Sequence, residues 1–197
     1  MTKLAKVTNY DVTRVGVVAD THIPDRISTL HPDLIPRLRA ERIELLLHAG
    51  DISEMSVLEK LSEVAPVLAV TGNRDRRLHK LVPLEQHLTV NGVKVFMAHG
   101  VGSFAHYVRE RVIGLSKGYL FERYREYLLR RSEGAKVIVF GDVHRVETRW
   151  IDGVLYFNPG SPAMGYRPGK PLSFGVLDFS KQHEPRGIIV PLRQNWN

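Results

Sequence analysis

Apolar residues arrive along this chain in short runs that stop abruptly at polar ones. Residues 15–19 (Val-Gly-Val-Val-Ala) are too few for a helix and rich in β-branched side chains, so they predict a buried strand, which stops at Asp20. Residues 43–47, 67–70, 93–98 and 136–140 repeat the pattern, stopping at His48, Thr71, His99 and Gly141. Between the first three strands, residues 31–42 carry Leu34, Ile35 and Leu38 at helical spacing behind Pro32 and Asp33, both good first-turn residues. Residues 53–64 put Val57, Leu58, Leu61 and Val64 on one helical stripe, with Ser53 as the expected N-cap. Asn91-Gly92 and Asp152-Gly153 predict two-residue hairpins, joining 86–90 to 93–98 and 146–151 to 154–157. Residues 172–179 and 187–192 add two more strands. The chain therefore reads as strands alternating with helices, then strands alone, an α/β order.

The segment at 101–134 breaks that rhythm. Two helical pieces, near 104–113 and 119–131, alternate aromatic and aliphatic residues (Tyr119, Leu120, Phe121, Tyr124, Tyr127, Leu128) with Arg123, Arg125, Arg130 and Arg131. The expectation is an amphipathic helix pair packed on the core; a lid, a contact in a homo-oligomer and a nucleic-acid platform stay open. With no repeat, low-complexity stretch or linker, one domain is expected over residues 1–197, with a helical basic insertion at 101–134.

Five short clusters of metal-binding residue types stand where strands should end: Asp20-Thr21-His22, Gly50-Asp51, Gly72-Asn73-Arg74-Asp75, His99-Gly100 and Gly141-Asp142-Val143-His144. Carboxylate and imidazole together suit Mn, Zn, Fe or Ni. Asp51, following a glycine that allows close backbone approach, has room to bridge two ions. Asn73 offers a neutral carbonyl oxygen, and His99 and His144 offer imidazoles. One such cluster is usually a turn or a cap. Five in order, each behind a strand, point to two divalent ions and to phosphoester chemistry.

Composition narrows the classes further. With 197 residues, 43% of them hydrophobic and 25% charged, the chain can bury a real core. It has no cysteine, which excludes disulfides, thiolate nucleophiles and cysteine zinc sites, and fits a reducing compartment. No apolar stretch approaches the ~18 residues of a membrane span, and residues 1–13 lack the apolar core of a signal peptide. A cytoplasmic enzyme without a membrane segment is expected. The net charge of +7 favours anionic partners, whether phosphoester substrates, nucleic acid or a membrane surface.

The five clusters resemble the calcineurin-like metallophosphoesterase superfamily, whose pattern runs D-x-H, G-D, G-N-x-D/E, H, G-H-x-H. The nearest likeness is to its small single-domain branch, that of YfcE-like phosphodiesterases and the retromer scaffold subunit. It spans about residues 15–162 and includes His48-Ala49-Gly50-Asp51 and Asn158-Pro159-Gly160-Ser161, the latter similar to a segment that closes the active site in that branch. The resemblance implies a four-layer α/β/β/α sandwich of two mixed β-sheets flanked by helices. It implies that Asp20, His22 and His144 hold a first metal, that Asp51 bridges, and that Asn73 and His99 hold a second. It also implies hydrolysis by a metal-bridging hydroxide.

Two positions depart from the pattern. The first histidine of G-H-x-H is Asp142 here. Two carboxylates against two divalent ions leave two net positive charges, and a ligating Asp142 removes one, favouring harder ions such as Mn or Mg. The second ion is thus conditional on Asp142, with Mn expected first. Arg74 stands where many superfamily phosphatases carry a proton-donating histidine. Arginine cannot give up a proton usefully, but it can bind phosphate oxygens. The expected catalytic set is Asn73, Arg74, Asp75 and His99, with Asp75 orienting the neighbourhood and His79 or His106 as substitute acids. Diesters with good leaving groups are the expected substrates. A nuclease using the basic segments and a protein-binding scaffold with weakened metal sites are the alternatives.

Overall fold

The computed structural model describes residues 8–100 and 121–194. The expected helix at 104–113, with Tyr119, Leu120 and His106, lies outside them. Eleven strands and three helices are described. In chain order they are β1 (Asn9–Tyr10), β2 (Arg14–Val18), α1 (Leu34–Ala40), β3 (Leu45–His48), α2 (Met55–Ser62), β4 (Val67–Ala69), β5 (Glu85–Val90) and β6 (Val93–Ala98). After these come α3 (Phe121–Arg131), β7 (Val137–Val139), β8 (Val146–Ile151), β9 (Val154–Pro159), β10 (Leu172–Asp178) and β11 (Arg186–Leu192).

The strands form two mixed sheets, ordered β11-β10-β2-β3-β4 and β1-β5-β6-β7-β9-β8. In the first, β2, β3 and β4 run parallel and β10 is antiparallel to β2 and β11. In the second, β6, β7 and β9 run parallel, while β5 and β8 pair antiparallel as hairpin partners. Both expected hairpin turns form, with Asn91 and Gly92, and Asp152 and Gly153, all at positive φ as a type I′ turn requires.

The period-2 alternation of the strands sorts the core into three clusters. Val15, Val17, Leu45 and Leu47 of the first sheet face Val95, Met97, Val137, Val139 and Phe157 of the second. The opposite face of the first sheet meets Leu34 and Leu38 of α1 and Val57 and Leu61 of α2. The outer face of the second, through Phe96, Ile138 and Tyr156, meets Phe121, Tyr124 and Leu128 of α3. The result is the expected α/β/β/α layering. The arginines of α3 turn outward to neighbours: Arg131 pairs with Glu85, Arg125 with Asp152 and Glu122, and Arg130 with Glu126.

Several local expectations need correction. Helix α1 is shorter than residues 31–42, and Asp33 at its N-cap makes no capping hydrogen bond, its carboxylate accepting from Arg193 instead. Ser53 does not cap α2; Glu54 holds that position. Ser53 has φ 74° and donates its backbone N–H to Asp75 Oδ1 at 2.6 Å. The short β1 carried no apolar signal and is fixed by parallel pairing with β5.

Phe157 shows how tightly the sheets meet. Its ring is fully buried, and Cβ atoms built on Gly175 and Gly187 would lie 2.4 and 2.5 Å from it. Only glycine at both positions leaves room for the ring. Phe157→Ala should therefore cost about 3–5 kcal/mol in urea denaturation. A loss under about 1 kcal/mol would mean that this interface repacks freely.

Candidate metal centre

The carboxyl ends of β2, β3, β4, β6 and β7 open toward one place, and each is followed directly by a ligand cluster. Backbone pairing continues past the strands and ties the loops together. Asp20 N–H donates to Gly50 O (2.9 Å), His22 N–H to Asp51 O (3.0 Å) and Gly141 N–H to His99 O (2.8 Å). Ten described non-glycine residues have left-handed φ, and five are Asp20, His22, Asp51, Asp142 and His144. Each such residue costs of order 1–3 kcal/mol, so this concentration marks a site rather than a run of ordinary turns. Glycines make the crowding feasible: a Cβ on Gly72 would lie 2.2 Å from Asp51 Oδ1, and one on Gly50 would lie 2.5 Å from His99 Nδ1.

Two overlapping groups of donor atoms could each hold an ion: Asp20, His22 and His144, and Asp20, Asp51 and His99. In the first, His144 Nε2 lies 3.5 Å from Asp20 Oδ1 and 2.9 Å from His22 Nε2. In the second, His99 Nε2 lies 3.4 Å from Asp51 Oδ1 and 3.9 Å from Asp20 Oδ1. His22 Nδ1 is 3.8 Å from Asp51 Oδ2, so Asp51 stands between the groups. One terminal atom of the Asn73 amide lies 3.3 Å from His99 Nε2 and 2.9 and 3.0 Å from the Asp51 oxygens. With nitrogen there it donates to Asp51; the reverse orientation presents its oxygen to a cation. Asp142 Oδ1 lies 3.9 Å from His99 Nε2. All seven expected ligands thus converge.

Carbonyl groups behind the imidazoles fix their tautomers. His99 Nδ1–H donates to Ala49 O at 2.7 Å and His144 Nδ1–H to Met164 O at 3.2 Å, so both Nε2 atoms face the pocket. Burial lowers the His22 pKa to about 3 and the His144 pKa to about 4, so both rings are neutral and available as ligands near pH 7. Burial would lower His99 too, but the Asp51, Asp20 and Asp142 carboxylates hold it well above its usual value. Asp51 is correspondingly held well below the carboxylate range: burial opposes this, but the His99 charge and hydrogen bond prevail. Burial pushes Asp20 well above that range.

Asp20 also tests whether a cation fits. It is fully buried, and among the described residues neither carboxylate oxygen has a hydrogen-bond partner. Such a group needs either a proton or a positive charge. Carboxylates, imidazoles and an amide are a donor set suited to divalent transition metals, so the residues fit the ions that the fold implies.

The remaining expected residues occupy the margin. Arg74 donates its backbone N–H to Asp51 Oδ1 at 2.9 Å, and its half-exposed guanidinium lies 3.8 Å from Asp25. Asp75 is buried and accepts from Ser53 N–H and Gly72 N–H (2.6 and 2.7 Å), clamping the Asp51 and Asn73 loops together. His79 is exposed and bonded to Thr71 Oγ1. Asn158 and Gly160 brace the site from behind: Asn158 Nδ2 donates to Gly141 O, and Gly160 N–H donates to Asn158 Oδ1. Ser161 donates to Asp20 O at 2.8 Å. The roles of Ser161, the Met164 carbonyl and Tyr124 (which donates to Asp142 at 2.9 Å) were missed in the sequence, because each depends on a partner far along the chain.

The chain matches the family model described as the calcineurin-like phosphoesterase superfamily domain over residues 13–182. A protein of Methanothermobacter thermautotrophicus described as a probable metallophosphoesterase is 31% identical over 151 residues, covering 76% of this chain and 77% of its own. Among solved structures, Vps29 of Chaetomium thermophilum is similar at TM-score 0.66 and 18% identity, over 91% of this chain and 95% of that one. A structure described as a novel archaeal phosphodiesterase is similar at TM-score 0.57 and 19% identity, over 90% and 99%. At those identities the two structures bear on the fold alone. The family match and the archaeal relative carry the assignment: the chain belongs to the calcineurin-like phosphoesterase superfamily.

Proposed function

We propose that this protein is a metal-dependent phosphodiesterase working with two divalent ions, Mn first among them. The observation that carries this is the pocket of seven donor residues built around a buried Asp20 whose oxygens have no hydrogen-bond donor among the described residues. Two ions there supply Lewis acidity, an acidified water and neutralisation of phosphoryl charge. Asp20, His22 and His144 would hold the first, Asn73, His99 and Asp142 the second, with Asp51 shared.

The protein's own groups favour diesters. Arg74 offers its half-exposed guanidinium to a phosphate oxygen, held at the rim by Asp25. It cannot donate a proton to a departing alkoxide, which favours leaving groups that depart as anions. The extra negative charge of Asp142 weakens attraction for a monoester dianion more than for a diester monoanion. The nuclease alternative draws less support, since arginines on α3 are engaged in ion pairs with acidic neighbours. The scaffold alternative rests on Asp142 in place of histidine, and the otherwise complete ligand set weighs against it.

Two outcomes follow. With Mn2+, bis-aryl phosphates should be hydrolysed faster than the aryl monoester, and His22→Ala should lower that rate at least about a hundredfold. Asp142→His, which restores positive charge, should shift the ratio toward the monoester. Steady-state assays of the three proteins decide this, and absence of diesterase activity with every divalent metal would sink the enzyme reading.

The second concerns stability. Because Asp20's folded pKa is raised, its contribution in metal-free protein is fully present below the ordinary carboxylate pKa and is lost as pH rises through the folded value. Metal-free Asp20→Asn should therefore be more stable than wild type at pH 8 in urea denaturation. Mn2+ at a hundredfold excess over the Kd of each site should add about 2.7 kcal/mol per occupied site, so wild type should gain at least about 2.7 kcal/mol more than the variant. Equal stabilisation of both by Mn2+ would remove Asp20 from the metal site.

A further inference from the structure

Asp142 is where the chain leaves its family's pattern, and its surroundings are arranged for a carboxylate. The Tyr124 hydroxyl donates to Asp142 Oδ2 at 2.9 Å, while Oδ1 lies on the pocket side, 3.9 Å from His99 Nε2. Gly100 gives the side chain its seat, since a Cβ there would lie 3.0 Å from Asp142 Cβ and Oδ2. A carboxylate is shorter than the imidazole it replaces, and its terminal torsion is broad and two-fold. Unless one oxygen is engaged, it presents either oxygen, or both, to a cation. The Tyr124 hydrogen bond assigns the two: Oδ2 to the tyrosine, Oδ1 to the pocket. It also draws off part of the carboxylate charge.

Tyr124 is itself held firmly. It is buried on α3, its ring lies 6.5 Å from that of Phe140, and Phe140 leads directly into Gly141-Asp142. Helix and ligand loop are therefore joined by this ring contact and by the Tyr124–Asp142 hydrogen bond. We propose that Tyr124 is the positioning residue of the second metal site, its hydroxyl holding Asp142 as a one-oxygen ligand, so that α3 is part of the metal centre. This rests on the two-metal reading above.

Tyr124→Phe keeps the ring and its packing and removes only the hydroxyl. Titration calorimetry of Mn2+ into chelator-stripped protein, with electron paramagnetic resonance of the loaded forms, separates the possibilities. Wild type should bind two ions and show a spin-coupled pair, and Asp142→Ala should bind one. Tyr124→Phe should bind the first ion as wild type does and the second about 10–100-fold more weakly, with its metal-free melting temperature nearly unchanged. A second ion bound as tightly in Tyr124→Phe as in wild type would overturn the role of Tyr124 while leaving two-metal binding intact. One ion in wild type would overturn the two-metal reading and this role with it, whereas two undiminished in Asp142→Ala would overturn Asp142 as a ligand, and with it the role of Tyr124, while leaving two-metal binding intact.

Discussion

A carboxylate that is fully buried and accepts no hydrogen bond is a costly arrangement, and among the described residues Asp20 finds no donor. It stands at the end of β2, the strand at the centre of the first sheet, where every neighbour is fixed by pairing. The surrounding groups answer that charge. The pKa of His99 is driven up by Asp51, Asp20 and Asp142, against its own burial, so an imidazolium balances the cluster when no metal is present. His22 and His144 remain neutral, with pKa values lowered by burial to about 3 and about 4. One proton-binding ring and two metal-ready rings around a buried carboxylate is the charge pattern of a site built to exchange a proton for a cation.

The fold supplies the rigidity that this exchange requires. Five candidate ligands sit at left-handed φ, a conformation retained only when the surroundings over-determine it. Here those surroundings are parallel strands of two sheets whose loops stay hydrogen-bonded beyond the last strand residues, with Asp75, Asn158 and Ser161 bracing from behind. Phe157 pins the sheets together between Gly175 and Gly187. Packing far from the chemistry thus fixes the distances among its donor atoms.

Much of this was legible in the sequence, for a physical reason. Strand ends in α/β sheets converge, so polar clusters after β-branched runs had to meet, and the seven residues from Asp20 to His144 do. The hairpins at Asn91-Gly92 and Asp152-Gly153 were equally plain, since their φ values leave few alternatives. What escaped depends on tertiary partners. Ser53 looks like a cap, but Asp75 takes its backbone N–H and the helix begins later. β1 has no apolar pattern and exists through its pairing with β5. Tyr124 reads as one aromatic in an amphipathic stripe, which it is, and only the fold brings its hydroxyl to Asp142.

The central claim is that this pocket holds two divalent ions, and anomalous diffraction from crystals grown with Mn2+ tests it most directly. Two peaks about 3.5–4 Å apart are expected, one bounded by Asp20, His22 and His144 and the other by Asn73, His99 and Asp142, with Asp51 between. No peak among these residues under saturating Mn2+ would contradict it.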